Sequence, residues 1–302
     1  MSSQPFNDGF IVRWAVIILY KLFSIRWFLR LFPRAGPVIF LSSRICIKSS
    51  PFTSLAEASA MRLVAKHTTV PVPKVCVKST PFTSLAEAST MRLVAKHTTV
   101  PKVYSAFEHK GSVFIVMEHI DGVMLARGWL RRTPESRNRI LESIRSMILQ
   151  IRQIPAPGHG VSNVDGGPIY DGRLPGPNFW GPFQTIHDFH RELRGGVDEP
   201  AYDGTAIPEF GPLIDFHNQQ WSSPIFTHGD LSSLNILARG DEVVGIIDWE
   251  TAGWMPPYWE YTSAWHVNPQ NQFWQQEVDR FLEPLPEALA METIRRKYNN
   301  DY

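Results

Sequence analysis

Three kinds of hydrophobic pattern run along the chain, and each predicts a different element. Residues 10–32 are rich in Phe, Ile and Trp, with an unbroken apolar run from Trp14 to Tyr20. A bilayer-spanning helix takes about 20 mostly apolar residues, and Arg13, Lys21, Arg26 and Arg30 interrupt this one. The stretch predicts a helix that either lies on a membrane surface or docks on the protein body. Its basic residues do not share one helical face, which favours docking. No small-residue cleavage site follows it, which argues against a signal peptide.

Short apolar runs around turn residues form the second pattern and predict antiparallel strand pairs. Val38–Leu41 and Arg44–Lys48 flank Ser42-Ser43. Val103–Phe107 and Ser112–Met117 flank His109-Lys110-Gly111, and 235–238 and 243–247 flank Arg239-Gly240-Asp241-Glu242. The third pattern is helical. Ile140, Leu141, Ile144, Met147, Ile148, Ile151 and Ile154 recur at spacings of three and four, opened by Pro134 and stopped by Pro155, which predicts a helix with a core-facing stripe. Residues 257–266 and 275–282 also read as helical. Arg295, Arg296 and Lys297 read as a solvated basic helix end. Residues 155–212 are rich in Pro, Gly, Asp and aromatics, with little periodicity. A stretch of that length without regular structure often carries function. Asp165, Asp171, Arg173 and Trp180 are its candidates to face a substrate, and turn or surface positions are the plainer reading of each.

The patterning also repeats. Residues 48–71 recur at 78–101, differing only at Ser50/Thr80 and Ala60/Thr90. Two copies do not make a solenoid; near-identity points to a recent segment duplication or a faulty gene model. Each copy reads as a strand ending in Lys, then a helix opened by a capping box, Ser54-x-x-Glu57 or Ser84-x-x-Glu87. Pro71 and Pro101 mark the helix ends.

Composition narrows the class. The chain has 302 residues, 43% hydrophobic and 20% charged, which fits a globular protein with one large or two smaller cores. A net charge of +1 gives no nucleic-acid footprint. Two cysteines, Cys46 and Cys76, occupy equivalent places in the repeat. They build no disulfide framework and favour a reducing, cytoplasmic compartment, peripheral at a membrane if residues 10–32 make that contact.

The candidate chemistry lies in His228-Gly229-Asp230-x-x-x-x-Asn235 and Ile247-Asp248-Trp249-Glu250. A hairpin between the two halves places Asn235 opposite about residue 246, with Asp248 one step beyond. Asp230, Asn235 and Asp248 then gather hard oxygen acceptors, which suit a divalent cation with phosphate oxygens. The plainer alternative for Asp230 is a turn-capping Asp after Gly229, which the presence of both halves disfavours.

With both halves in place, the chain resembles the aminoglycoside phosphotransferase and choline kinase group, most of all its fungal members, from about residue 35 to the C-terminus. The segment Trp254–Tyr261, with Pro257 and Glu260, adds to the likeness. The resemblance implies an α+β, two-lobed protein-kinase-like fold: an N-terminal helix over 1–33, a small β-rich nucleotide lobe over 34–120 holding the duplication, and a larger, mainly helical lobe over 121–302. It implies transfer from ATP, with Mg, to a hydroxyl of a small molecule. Asp230 would orient that hydroxyl, Asn235 and Asp248 would hold Mg with help from Glu250, and His228 would brace the loop. Met117, Glu118 and Ile120 would form the hinge against adenine.

A strand Lys paired with a helix Glu completes the pattern, and the duplication offers two of each. The hairpin before Lys48 favours Lys48 with Glu57, and this is the pair expected. The direct connection of the second helix to Val103 favours Lys78 with Glu87, or Lys48 with Glu87. No Gly-x-Gly-x-x-Gly loop precedes Lys48. The alternatives are a catalytically impaired kinase-like binding protein and a membrane-surface scaffold acting through residues 10–32.

Overall fold

The computed structural model describes residues 4–22, 34–35, 38–42, 45–48, 75–176, 178–197, 210–266 and 272–298. They form two compact units. A strand-rich unit draws on Ser3–Arg131 and Leu234–Ile247, and a helix-rich unit on Arg132–Ser233 and Asp248–Tyr302.

In the strand-rich unit, helix α1 (Phe10–Leu22) precedes a sheet whose strands are β1 (Arg34–Ala35), β2 (Val38–Ser42), β3 (Ile45–Lys48), β4 (Val75–Lys78), β5 (Val103–His109) and β6 (Ser112–Glu118). Their spatial order is β1-β2-β3-β4-β6-β5. The β5–β6 hairpin turns on Lys110 and Gly111, both with positive φ. That backbone follows the right-handed twist of the flanking strands.

The duplication enters this sheet directly. β3 and β4 pair in parallel with matching repeat positions side by side, Ile45 to Val75, Cys46 to Cys76, Ile47 to Val77 and Lys48 to Lys78. β3 takes its other hydrogen bonds from β2, and β4 takes its own from β6. The second copy's strand, β4, thus lies between the first copy's strand, β3, and β6. Beyond Lys48, the first copy, including Glu57, lies outside the described residues. The second copy continues into helix α2 (Leu85–Val94), capped by the Ser84 side chain, which accepts from the Glu87 N–H. This helix stops well before Pro101: Ala95 is already its C-cap.

The predicted 235–247 hairpin is present as β11 (Ile236–Arg239) and β12 (Glu242–Ile246). It joins β7 (Val123–Met124) in a sheet of the strand-rich unit. Gly122 lets the hairpin come this close, because a Cβ there would stand 2.6 Å from the Leu237 Cβ.

The helix-rich unit holds α3 (Pro134–Ile151), α4 (Ile186–Leu193), α5 (Phe210–Asn218), α6 (Trp259–His266), α7 (Gln272–Phe281) and α8 (Pro286–Tyr298). The stripe predicted on α3 is buried from Ile140 to Ile151. Residues 155–212 contain more order than their sequence shows. β8 (Ile169–Tyr170) pairs with β9 (Phe179–Trp180), and α4 opens with a complete Thr185/Asp188 capping box. Trp180 belongs to an apolar core with Ile186, Phe189, Tyr258 and Trp259, so it is a packing residue rather than a substrate contact. Asp165 keeps its plainer reading: its N–H donates to Asn163 Oδ1 in a turn. The basic helix end is not fully solvated, since Arg295 is buried and forms a two-pronged ion pair with Glu292.

Candidate active site

The His228–Ser233 loop starts where β10 (Ile225–Thr227) ends, and β10 is held by β13 (Gly253–Met255) from Ile225 to Thr227. This strand pair anchors the loop to the segment that follows Asp248. Buried Glu260, on α6, fixes the loop further. Its carboxylate accepts the His228 N–H at 2.6 Å and the Gly229 N–H at 3.0 Å. Two consecutive backbone donors converging on one anion make strong, charge-assisted bonds.

Gly229 has φ +80°, and a Cβ there would meet the Thr251 carbonyl at 2.9 Å. Glycine is therefore required on two counts. The His228 ring is fully buried edge-on to Trp249, and its Nδ1 accepts the Asp230 N–H at 3.1 Å. An accepting Nδ1 carries no proton, and its lone pair is engaged in holding the loop backbone. Thr251 donates to the His228 carbonyl, and the Trp274 indole to the Leu231 carbonyl.

All this leaves the Asp230 carboxylate one-third exposed at the surface of its unit. Arg173 stands beside it in the same unit, with Nη1 3.9 Å from Oδ1. Arg173 is itself clamped. It makes two bonds to Asp171, of 2.8 and 2.7 Å, and one of 2.5 Å to the Gly229 carbonyl. Burial works against its charge, yet Asp171 first, then Asp230 and Glu292, hold its pKa above the ordinary arginine value. Asp171, read from sequence as a turn or surface residue, is in fact buried beneath this guanidinium.

Asp248 takes the left-handed backbone conformation at φ 68°, which costs a non-glycine residue about 1–2 kcal/mol. Strain of this kind persists where the surrounding structure enforces it, commonly at functional sites. The turn brings the Asp248 and Glu250 carboxylates within 4.8 Å of one another. Paired carboxylate oxygens of this spacing suit a hard divalent cation such as Mg²⁺.

The strand-rich unit supplies the other predicted residues. Lys78, at the end of β4, donates to Glu87 on α2 at 2.9 Å, and both side chains are almost fully buried. The backbone of Lys48 lies beside that of Lys78. Buried Asn235 closes the open end of the β11–β12 hairpin, where its carbonyl accepts the Ile247 N–H at 2.9 Å. The expected pairing with residue 246 is thus off by one, and Asp248 is the next residue in the chain. Met117 and Glu118 end β6, with the Glu118 N–H bonded to the Lys102 carbonyl. Ile120 packs its side chain toward Gly245, and its carbonyl accepts the Gly122 N–H.

Sequence reasoning did not find the roles of Glu260 or of the Asp171–Arg173 clamp. Glu260 stands within a recognisable segment, but nothing local announces that its carboxylate reaches back 32 residues. Arg173 is 56 residues from Gly229.

The model of the "Phosphotransferase enzyme family" matches residues 78–296, well over half the chain. The chain belongs to this family. The match begins at Lys78, so of the two copies it takes in the second. Among solved structures, the chain is similar to the aminoglycoside phosphotransferase APH(4)-Ia, with TM-score 0.52 and 16% identity over 72% of this chain and 75% of that one. A thermostable mutant of the same enzyme in its apo form gives TM-score 0.50 and 17% identity, with the same coverage. That similarity establishes the fold as the protein-kinase-like one of the phosphotransferase family. A comparison with curated proteins found no match.

Proposed function

We propose that this family member transfers the γ-phosphoryl group of ATP to a hydroxyl of a small molecule. The observation that carries the reading is the state of Asp230: a one-third exposed carboxylate on a loop whose backbone is pinned by Glu260, His228 and Arg173. Phosphoryl transfer asks little covalent chemistry of a protein; it asks for positioning and charge neutralisation. Asp230 accepts the hydrogen bond of the substrate hydroxyl and aims its oxygen at the γ-phosphorus. The hydroxyl proton passes to Asp230 Oδ as the new P–O bond forms and the bond to the β-phosphate oxygen breaks.

Lys78 contacts the nucleotide phosphates, and Glu87 keeps its ammonium in place. Of the two copies, the second is the one with a formed ion pair among the described residues, which supports it over Lys48 with Glu57. The same pair supports a working nucleotide side over the reading of an impaired binding protein. Met117, Glu118 and Ile120 line the adenine. Asn235 and Asp248, with Glu250 beside Asp248, would hold Mg²⁺, which when bound offsets the phosphate charge.

The reading is tested with Mg·ATP and a panel of aminoglycosides, amino alcohols and sugars, alongside thermal stabilisation by Mg·AMP-PNP. Stabilisation by nucleotide together with acceptor-dependent ADP release supports it. Nucleotide binding without phosphoryl transfer to any acceptor returns the protein to the class of kinase-like binding proteins, and no nucleotide binding overturns the reading.

A further inference from the structure

Helix α1 is amphipathic in an uncommon sense: both of its faces are apolar, and only one is covered. At about 100° per residue, Val16 and Ile17 lie on one side of the helix with Arg13 between them, and both are buried. Arg13 fastens that side to the strand-rich unit by donating to Asp8 and to the Glu108 carbonyl, while its guanidinium lies over the Phe107 ring. Upstream, Phe6 bridges to Ala106 of β5. The helix is therefore docked, as its scattered charges predicted.

Among the described residues, the adjoining side is largely uncovered. Phe10, Trp14, Ile18 and Ile11 fall within an arc of about 100°, with exposures of 77%, 44%, 51% and 82%. Val12, 40% exposed, extends the apolar surface beside them. Single exposed apolar residues need no explanation, but a contiguous set on one helix face marks an interaction surface.

Charge selects among the occupants. From residue 9 to residue 56 the sequence contains Arg13, Lys21, Arg26, Arg30, Arg34, Arg44 and Lys48 and no acidic residue. Lys21 lies within the exposed arc. Trp27, Phe28 and Phe32 are interleaved with the arginines that follow in sequence. An anionic lipid headgroup layer offers both partners the face lacks: acyl-chain boundary for the aromatic and aliphatic side chains, and negative charge for the basic ones. Among the described residues no helix is long and apolar enough to cross a membrane, so the contact is peripheral.

We propose that the exposed face of α1 lies on an anionic lipid surface, with Phe10, Ile11, Trp14 and Ile18 at the headgroup–acyl boundary. The proposal does not rest on phosphotransferase activity, because the strand-rich unit presents this face whatever the active site does.

The test is co-sedimentation of the full chain with phosphatidylcholine vesicles and with mixed phosphatidylcholine–phosphatidylserine vesicles, at low and high salt. Wild type and an Ile11→Ser, Ile18→Ser double variant are compared. Both isoleucines are exposed, so the variant keeps the wild-type melting temperature. The expected result is binding to the mixed vesicles, weakened by salt, and about tenfold or more weaker in the double variant. Equal binding by the double variant, or no binding to the mixed vesicles by wild type, overturns the proposal. Concentration-dependent dimerisation lost in the double variant, without vesicle binding, assigns the face to a second copy instead and also overturns it.

Discussion

Lys78 and Glu87 form a 2.9 Å ion pair from β4 to α2, with 5% and 1% of their side-chain surfaces exposed. A buried charge that loses its partner costs about 3–5 kcal/mol, so this pair is a commitment of the fold. The parallel pairing of β3 and β4 gives Lys48 an equivalent backbone position one strand away, and the two lysines are separated by mutation. Lys78→Met is expected to abolish turnover and to lower stability. Lys48→Met is expected to leave both close to wild type. Deleting 48–77 joins Ile47 to Lys78 and recreates the Ile-Cys-Ile-Lys strand next to β2, so that deletion is expected to keep activity. Thermal melts and nucleotide titrations of the three variants check this; equal losses from Lys48→Met and Lys78→Met would contradict it.

Glu260 offers two oxygens to two consecutive N–H groups of the catalytic loop. Glutamine offers one oxygen and turns an N–H₂ toward the other donor. A buried donor left without an acceptor costs about 1–3 kcal/mol. Glu260→Gln is expected to lower the melting temperature and to reduce kcat more than the KM for nucleotide, because the loop and not the Lys78 pair is loosened. Steady-state kinetics over both substrates separates the two effects.

Arg173 is a positioning residue that ties Asp171, Gly229 and Asp230 together. Lysine keeps the charge but not the planar fork, so it cannot hold two anions and a carbonyl at once. Arg173→Lys is expected to lower kcat by about tenfold or more, with little change in nucleotide KM. Unchanged kcat in a folded Arg173→Lys protein would show that the clamp serves stability alone.

Much of this was legible in the sequence because it is local. The β5–β6 and β11–β12 hairpins follow from short turns between apolar runs, and α3 from its three-and-four spacing. The catalytic loop and Asp248 stand on either side of one of those hairpins. What could not be read depends on contacts distant in sequence. Glu260 and Arg173 act across 32 and 56 residues, and no periodicity encodes that. Helix α4 was missed because it is only 8 residues long, between Pro- and Gly-rich turns. Arg295 looked solvated because a run of three basic residues resembles a helix end, while its partner Glu292 is one turn away and buried with it. The choice between the lysines could not be made locally at all, since near-identical copies carry the same local signals.

The core of the helix-rich unit sets a pH limit. The His190 ring stacks on His217 at 4.2 Å, and its Nε2 meets the Tyr258 hydroxyl at 2.9 Å. Burial pushes His190 down to about 3, and His217 is also pushed down by burial and then by the neighbouring His190. Burial, followed by Arg296, takes His266 to about 4. The unfolded chain takes up these protons near the ordinary histidine value of about 6.5, while the folded chain refuses them until much lower pH. Their contribution to stability is therefore complete above about 6.5 and is lost as pH falls toward 3. The melting temperature is expected to drop across that window, and less steeply in His217→Phe; an unchanged slope in that variant would contradict the assignment.

The central claim is that Asp230 receives the substrate hydroxyl. Its most direct measurement is acceptor-dependent transfer of the γ-phosphoryl group from Mg·ATP, followed by ³¹P NMR, for wild type and Asp230→Asn at matched nucleotide occupancy. Asparagine keeps the shape and removes the negative oxygen. The predicted result is a phosphomonoester product from wild type and at least about 10²-fold slower transfer by Asp230→Asn, with nucleotide affinity retained. Transfer by Asp230→Asn at the wild-type rate would contradict the account.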